Sequence, residues 1–404
     1  MIGSFLGILT ALFLFYRPDF TEKYLNFNMI NPWLIAIPLL FLFLQTMTLM
    51  KASSTLQKAS KTTTPHLLSL FKNDRKLQWT SGIFFLFLFL SLLFSASDLI
   101  DKNSALSIWF ILLGVSFDLL KYTISKISEY LNPFTALELF KKAGINDIQD
   151  EREIDLCNHF DAIAETAVSA IHATRPSIAA SAFNTLQDLT RIFLESSKSL
   201  GHREQDKQTE ALGIKDKVSY TLSYLFQKID FIFQEALQKK METTLSSLIT
   251  TLGKITIHSV KCDMTLSLPP LIYLGKFATK SIELKFQDVG IRATLTLVEV
   301  AKIIVSEIDL TYLEIQETFL CLISQLENIA KETFKQDKNM KIAVLRQPFL
   351  ELKELFKTEK MAAHRDTPVI LNDLERVLAE FQILETVMRT IPPLSPLTEN
   401  KQNS

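Results

Sequence analysis

Glycine is scarce in this chain of 404 residues: ten are present, and none forms a Gly-rich phosphate-binding motif. The spacings GxGxxG and GxxxxGK followed by Ser or Thr are both missing, which disfavours nucleotide binding by those two routes. The metal-ligand spacings HExxH, ExxH and CxxC are missing as well. The sequence therefore predicts no cofactor and no metal, and it leans against an enzyme.

Cysteine is rarer still, with Cys157, Cys262 and Cys321 standing alone. Three isolated cysteines cannot all pair, which is typical of a reducing compartment. An excess of positive charge is also lacking, because 43 Lys and Arg face 44 Asp and Glu. A nucleic-acid partner is therefore not expected. The hydrophobic content of 48% instead favours a membrane protein with a large soluble part.

Long apolar segments dominate the first third of the chain. The segment 29–50 carries no charge and is long enough, at about 1.5 Å per helical residue, to cross a hydrocarbon core of roughly 30 Å. Segments 79–97 and 105–120 are predicted as two further spans. The segment 2–16 is shorter, and its start, Met-Ile-Gly-Ser, favours a short span over a signal peptide or a partial insertion. We therefore predict a four-helix transmembrane region over 1–120.

The loop 51–78 gives the orientation, because Lys and Arg are retained on the cytoplasmic side. One acid, Asp74, stands in this loop against six cations: Lys51, Lys58, Lys61, Lys72, Arg75 and Lys76. The other two loops are nearly balanced in charge. We expect a multi-pass protein of a bacterial inner (cytoplasmic) membrane with both termini cytoplasmic. Trp33, Trp79 and Trp109 lie near span ends, where indoles favour the headgroup level.

The basic loop and the start of the third span also carry a recognisable motif. The pattern places Leu-Gln-x-Ala-Ser before a Pro, then Phe-x-x-Asp-Arg-x-x-Gln before an apolar segment. The matching residues are Leu56, Gln57, Ala59, Ser60, Pro65, Leu68, Phe71, Asp74, Arg75, Gln78, Gly82 and Phe84. This segment, best over 48–93, resembles a family of bacterial membrane proteins called domain of unknown function family twenty-two fifty-four. Thr64 and His66 depart from the Ser and Arg of that family.

The resemblance implies a membrane protein and assigns no activity. Residues 65–78 place Leu and Phe on one side and charges mostly on the other, which predicts a short amphipathic helix opened by Pro65. Such a helix would lie on the inner leaflet, with anionic lipid headgroups as its partner. The alternative is an ordinary charged connector that packs on the soluble part.

From Lys121 onward, apolar residues recur every three or four positions, which predicts an all-α cytoplasmic region. Two halves, 121–265 and 266–391, and a disordered tail over 392–404 are expected. The predicted helices are 118–131, 133–143, 151–172, 176–200, 215–239, 242–261, 271–282, 288–307, 310–335, 340–357 and 369–389.

The two halves resemble each other at an offset of 137 residues, where 133–198 aligns with 270–335 without a gap. Shared residues include the pairs Phe140/Phe277 and Ser169/Ser306. An internal duplication would give a helical bundle or a short solenoid, and such surfaces usually bind protein partners.

Three residues are weak candidates for chemistry. Asp155 and His159 lie four apart on a predicted helix and would meet as a metal or nucleophile site, although a lone acid and histidine pair on a helix is usually solvated surface. Asp118, near the inner end of the fourth span, is either part of an ion path or a boundary ion pair with Lys121. The stripe Glu153, Cys157, Asp161 and Glu165 is interpreted as one exposed face.

The leading hypothesis is a membrane-anchored helical module for binding or scaffolding. A channel or transporter component, in which a homo-oligomer encloses a pore gated by the cytoplasmic part, is the first alternative. A membrane-bound hydrolase that uses Asp155, Cys157 and His159 is the second. The lipid bilayer is a partner in all three.

Overall fold

The fold comes from a computed structural model that describes residues 2–16, 27–62, 68, 71–72, 74–96, 102–203, 208–311, 313–338 and 341–390. The described residues form fifteen α-helices and no strand. All-α architecture is therefore confirmed for this part of the chain. Its physical basis is the apolar period of about 3.6 residues, which gives each helix an apolar face to bury.

The chain divides into two compact units, Met1–Phe140 and Lys141–Ser404. The N-terminal unit contains the helices α1 (Ile2–Tyr16), α2 (Phe27–Thr62), α3 (Arg75–Ala96) and α4 (Lys102–Leu131). Helix α5 (Pro133–Gln149) crosses the division. The C-terminal unit continues with α6 (Glu153–His172), α7 (Pro176–Arg203), α8 (Gln208–Gln238), α9 (Glu242–Cys262), α10 (Leu268–Glu283), α11 (Gln287–Glu307), α12 (Gln316–Gln336), α13 (Ile342–Phe356), α14 (Glu359–Ala362) and α15 (Thr367–Thr390).

Helices α2 and α4 are longer than the predicted spans. The predicted loop 51–78 begins with twelve more residues of α2, and α4 continues unbroken from the span into the predicted helix 118–131. Both extensions bury apolar side chains, Leu56 on α2 and Ile127 and Tyr130 on α4. The helices continue because these residues have a core to pack into and no Gly or Pro stops them.

Helix α1 lies antiparallel along α4. Close approach of the two backbones requires three glycines, because a Cβ on Gly114 would lie 2.2 Å from the Gly3 carbonyl oxygen. Gly7 is similarly close to the Phe110 carbonyl. Ser107 Oγ donates to the Ala11 carbonyl at 3.3 Å further along the same contact. Small residues thus bring these helices together by van der Waals packing and polar contacts between backbones.

Three described helices are long and apolar enough to cross a membrane, namely Pro32–Gln57, Arg75–Ala96 and Asn103–Leu131. Helix α1 is apolar and shorter. The unit also exposes large apolar side chains, with Phe43, Phe85 and Phe89 all more than half exposed. A soluble protein of this size rarely leaves so much apolar surface uncovered.

The C-terminal unit is a stack of two helical layers. In one layer α7 packs on α9, α9 on α11 and α11 on α13, and in the other α6 packs on α8, α8 on α10, α10 on α12 and α12 on α15. Ion pairs join neighbours within a layer, such as Lys261 with Glu307 at 2.7 Å and Lys276 with Asp230 at 2.9 Å. The aligned segments α5–α7 and α10–α12 share their helix order, but the duplication stays a prediction.

The core of this stack is aromatic and aliphatic. Phe233 and Phe277 are fully buried and stack face to face, with ring centroids 3.9 Å apart. Four helix ends turn through residues with positive φ although none is glycine: Glu151, Thr174, Lys240 and Lys285. At each end, the amide of the residue after the positive-φ residue bonds back into the last turn of the helix, as Arg175 N does to the Ala170 carbonyl at 2.8 Å.

Most predicted helix boundaries are confirmed within a few residues. The largest differences are at three helix ends: α8 begins at Gln208 and not at 215, α5 continues to Gln149 and not only to 143, and α12 begins at Gln316 and not at 310. Before α12, the Asp309 carboxylate accepts a hydrogen bond from the Thr311 amide in a local turn. This bond competes with the helical hydrogen bonds, so the helix starts later. The loop predicted over 201–209 is also partly wrong, since α7 continues to Arg203. The predicted disordered tail lies outside the described residues.

Candidate functional site

The motif segment centres on Asp74, which caps α3. Its Oδ1 accepts the amides of Lys76 and Leu77 at 3.0 and 3.3 Å, while its Oδ2 accepts the hydroxyl of Tyr130 at 2.9 Å. Phe71 packs edge-on against the Tyr130 ring. Both oxygens of Asp74, the one acid of the loop, are therefore engaged by hydrogen bonds within the N-terminal unit.

The remaining motif residues have different surroundings. Gln78 donates through Nε2 to the Lys72 carbonyl at 2.9 Å and belongs to α3, so the predicted amphipathic helix is interrupted at Asp74. Gln57 and Arg75 are exposed. Ser60 lies on α2, where its side chain is not described, and Pro65 lies outside the described residues.

A basic boundary surface, defined by Lys51, Lys72, Arg75, Lys76 and Lys121, occupies one end of the N-terminal unit. All five side chains are exposed, and none makes an ion pair within the part of the chain that the structure describes. Trp79, one turn along α3 from Arg75 and Lys76, is 71% exposed. Free cations beside an exposed indole are the arrangement that proteins present to a phosphate-rich layer over hydrocarbon.

Sequence reasoning missed a buried polar cluster in this unit. Gln45 donates through Nε2 to Thr80 Oγ1 and to Thr123 Oγ1, each at 3.1 Å, and so joins α2, α3 and α4. All three side chains are nearly inaccessible. Gln45 itself was the available signal, because an amide in a long apolar segment almost always faces the interior of a bundle.

Tryptophan placement is only partly as predicted. Trp33 and Trp79 are exposed, whereas Trp109 is buried among Leu34, Phe87 and Leu106. Its Nε1 donates to the Leu34 carbonyl at 3.2 Å. The indole of Trp109 therefore joins two helices and is not free to lie at a headgroup level.

Asp118 is engaged by helix α1. Its carboxylate accepts the amides of Gly3 and Ser4 at 3.1 and 2.8 Å and the Ser4 hydroxyl at 2.5 Å. The boundary pair expected with Lys121 is therefore wrong. The carboxylate caps the amino end of α1, where helical amides lack partners and carry partial positive charge. Its role in this geometry is to hold α1 against α4.

Asp155 and His159 do not meet. His159 Nε2 lies 2.8 Å from Asp147 Oδ2, on α5, and Arg152 lies 2.7 Å from the other Asp147 oxygen. Asp155 is a surface residue 3.8 Å from Arg152. The sequence rule failed because a buried acid on the preceding helix lies nearer to His159 than its own-helix neighbour.

The stripe on α6 is not an exposed face either. Cys157 is buried, and Asp161 accepts the Tyr224 hydroxyl at 2.5 Å and pairs with Lys228 at 2.9 Å, both on α8. Burial, aided by the hydrogen bond to Asp161, raises the pKa of Tyr224 to about 12. These contacts join two helices of one layer. Within the described ranges, no group of three or more His, Cys, Asp or Glu is placed to hold a metal.

An apolar groove lies where the first layer of the C-terminal unit opens. Helices α11 and α13 form its walls, α12 forms its floor, and its volume is about 420 Å³. The walls consist mainly of aliphatic side chains from α11 and α13, with Leu326 and Ile329 below. Ile291, Leu295 and Val344 on the rim are 51%, 57% and 54% exposed. A concave apolar surface of this size is large enough to hold a ligand group.

The groove has two polar features. Lys302 Nζ and Glu351 Oε2 pair across it at 2.6 Å, and the pair joins α11 to α13. Pro348, which lines the groove, has no amide, so the regular helical bond to the Val344 carbonyl is missing. The site offers apolar contact and one exposed ion pair, with no arrangement of nucleophile and base.

Comparisons with known proteins add little. No family model matches the chain, and no curated protein matches it either. Among solved structures, a circular tandem repeat protein with novel repeat topology and enhanced subunit contact surfaces is similar at a TM-score of 0.39 and 13% identity. That alignment covers 96% of this chain and 99% of the other.

Proposed function

We propose that the protein is a multi-pass protein of a bacterial inner membrane and that its C-terminal unit is a binding or scaffolding module for a protein partner. Helices α1 to α4 are the four spans, with the basic boundary surface and both termini on the cytoplasmic side. The observation that carries the binding role is the apolar groove between α11 and α13. The resemblance to the uncharacterised membrane family is consistent with the proposal and stays a prediction.

The N-terminal unit supports the membrane placement by its dimensions. The hydrogen bonds of Gln45 fix the relative heights of α2, α3 and α4. Counting about 1.5 Å per residue from that level, Phe27 lies about 27 Å away and Ala96 about 24 Å away. This apolar height is close to a hydrocarbon core of roughly 30 Å. Helix α1 lies along α4 within the same layer, which supports a fourth, short span.

The exposed rim of the groove favours a protein partner over a small molecule. A small ligand inside the groove would leave the outer halves of Ile291, Leu295 and Val344 in water. A partner helix laid along α11 and α13 covers the rim and the groove together, because an amphipathic helix presents a continuous apolar stripe to a hydrophobic groove. The occupant is therefore an amphipathic helix with apolar residues at spacings of three, four and seven.

A photo-crosslinking residue at Thr294, which lines the groove, tests this in cells that express the full chain. We expect an adduct whose partner peptide, identified by mass spectrometry, has that apolar spacing. Leu295→Glu should abolish the adduct, because it places a charge in the apolar contact. Ile154→Glu, at an exposed apolar position on α6 outside the groove, should leave it unchanged.

Other outcomes would overturn the proposal. A lipid adduct, an adduct to a second copy of this chain, or an adduct that survives Leu295→Glu each contradicts a helical partner in the groove. Reporter fusions after Ser104 and after Leu131 test the topology separately. A reporter active outside the cell at the later position would reverse the orientation. Ion flux through liposomes containing the purified protein would favour the channel alternative.

A further inference from the structure

We infer that the basic boundary surface is a binding site for the phosphate groups of anionic lipids, built around the amino end of α3. The inference rests on the proposed function, since it needs α3 in a bilayer, and it adds a lipid class to that proposal. Its core is Lys72, Arg75 and Lys76, with Trp79 one turn further along the helix. The site thus combines three cations with an indole at the edge of an apolar span.

The heights of these residues follow from the Gln45 cluster. Trp79 lies within one residue of the level at which Gln45 bonds to Thr80. Arg75 and Lys76 then lie about 6 to 8 Å further toward the basic end, and Lys51 on α2 lies about 9 Å further, at 1.5 Å per residue. A headgroup layer is about 5 to 8 Å deep on each side of a bilayer. The indole is therefore at the hydrocarbon edge, and Arg75, Lys76 and Lys51 are at phosphate depth.

The charges at this depth are available for a ligand. Asp74 is the nearest acid, and its two oxygens are occupied by the amides of Lys76 and Leu77 and by the Tyr130 hydroxyl. None of the cations forms an ion pair among the residues that the structure places. The Asp74 cap also fixes the start of α3, so that Arg75 and Lys76 leave the helix from a rigid first turn. Phosphates therefore meet unpaired cations whose backbone positions are already fixed by the Asp74 cap.

Fluorescence quenching of Trp79 by brominated lipids tests the inference on the full chain in bilayers. The Trp79 signal is the difference between the parent and Trp79→Phe. Brominated phosphatidylglycerol is compared with brominated phosphatidylcholine at equal mole fractions in phosphatidylcholine bilayers. We expect about fivefold preferred contact with the anionic lipid, which corresponds to about 1 kcal/mol from a nearby cation. High salt should reduce the preference.

The triple variant Lys72→Gln, Arg75→Gln and Lys76→Gln should lower the preference to about one. A matched control removes three exposed cations from the C-terminal unit, with Lys239→Gln, Lys254→Gln and Lys285→Gln, and should retain it. A second difference measurement with Trp33→Phe reports the opposite end of α2, where no preference is expected. Circular dichroism of each variant confirms that the helices are intact.

The contrary outcomes separate the two proposals. Absence of quenching by either lipid would place Trp79 outside a bilayer and would overturn the membrane placement itself. Equal quenching of the parent by both lipids would leave that placement standing and overturn the anionic site. A preference that survives the triple variant, or that the control variant abolishes, would assign it to charges elsewhere and overturn the site as well.

Discussion

The two units of this protein are both built from α-helices with apolar cores, but they differ in what their surfaces carry and in which polar groups lie inside. In the C-terminal unit, large aromatic residues such as Phe233 and Phe277 are inside, and ion pairs such as Lys276 with Asp230 are outside. In the N-terminal unit, Phe85 and Phe89 face outward, while the Gln45, Thr80 and Thr123 cluster is inside. Charged residues outside, as in the C-terminal unit, are typical of helices surrounded by water. Aromatic residues outside, as in the N-terminal unit, are typical of helices surrounded by hydrocarbon.

The difference shows where cohesion comes from in each unit. Apolar burial drives helix packing in water, whereas in lipid it offers no net gain, so glycine contacts and internal hydrogen bonds must hold helices together. Tryptophan and cysteine, the residues that fluorescence and thiol labelling detect, are divided between the two units. All three tryptophans lie in the N-terminal unit and all three cysteines in the C-terminal unit. Fluorescence and thiol labelling therefore report the units independently.

The largest expected effect comes from removing a buried ring. Phe277→Ala should lower the free energy of unfolding of the C-terminal unit by about 3 to 5 kcal/mol, because it leaves a cavity against Phe233. Labelling of the buried Cys157 thiol measures the opening. Phe89→Ala, which removes an outward ring, should change the stability of the N-terminal unit by less than about 1 kcal/mol, as followed by tryptophan fluorescence. Equal effects would contradict the contrast between the units.

Close helix packing in the N-terminal unit is tested by Gly114→Ala. The new methyl would meet the Gly3 backbone at 2.2 Å, so α1 must move away from α4, at a cost of about 1 to 3 kcal/mol. Unfolding in a denaturing detergent, monitored by tryptophan fluorescence, gives the change. The control is Gly82→Ala, because nothing lies within 4 Å of a Cβ at Gly82. A neutral Gly114→Ala would mean that α1 and α4 are not in contact.

Gln45→Leu tests the internal hydrogen bonds. It removes two bonds between helices, and comparable bonds in membrane bundles contribute about 0.6 kcal/mol on average and up to about 1.7. We expect a loss in that range by the same fluorescence assay. Thr46→Val, at an exposed neighbouring position, should have no measurable effect. A stabilised Gln45→Leu variant would show that the cluster is not needed for assembly.

Backbone strain at Thr174 predicts that a glycine there would increase the stability of the C-terminal unit. Thr174 has φ 53°, a left-handed conformation that a β-branched residue rarely adopts. Thr174→Gly should stabilise the unit by about 1 kcal/mol, as measured by slower Cys157 labelling. Ala173→Gly, at an ordinary φ of −83°, should instead be neutral or destabilising. The reverse ranking would show that Thr174 is not strained.

The smallest effect is a pH dependence confined to the C-terminal unit. Burial, followed by the nearby charges of Arg191 and Lys261, lowers the pKa of His258 below its ordinary value of 6.5. The folded state then binds fewer protons than the unfolded state, so stability is present above about pH 6.5 and falls as the pH drops below it. Urea unfolding followed by circular dichroism should show this loss, and His258→Gln should reduce it. An unchanged loss would assign it to another group.

Helix positions were predictable because each helix repeats its apolar residues along the sequence. The boundaries of α6, α9 and α11 agree with the periodicity within two residues. Pairings between helices were not predictable in this way. His159 was expected to meet Asp155, four residues away, and instead meets Asp147 on α5. Asp118 was expected to pair with Lys121, and it instead holds the amino end of α1, more than a hundred residues away.

The basic boundary surface was partly visible in advance. Its cations and the motif around Asp74 stand out in the sequence, because charge next to a long apolar segment needs no partner to be recognised. Tyr130 does not stand out, since its contact with Asp74 depends on α4 continuing beyond the predicted span. The groove could not be predicted either, because it exists only where α13 packs less closely on α11.

The order of residues by itself determined the all-helical architecture, the positions of the apolar helices and the basic end, because periodicity and charge are local properties of a chain. The tertiary structure alone decided that Gln45 joins three helices, that Trp109 is buried and that an apolar groove opens between α11 and α13. Each of these depends on which faces meet. A pattern that repeats every three to four residues shows that a helix has an apolar face, but not which helix will cover it.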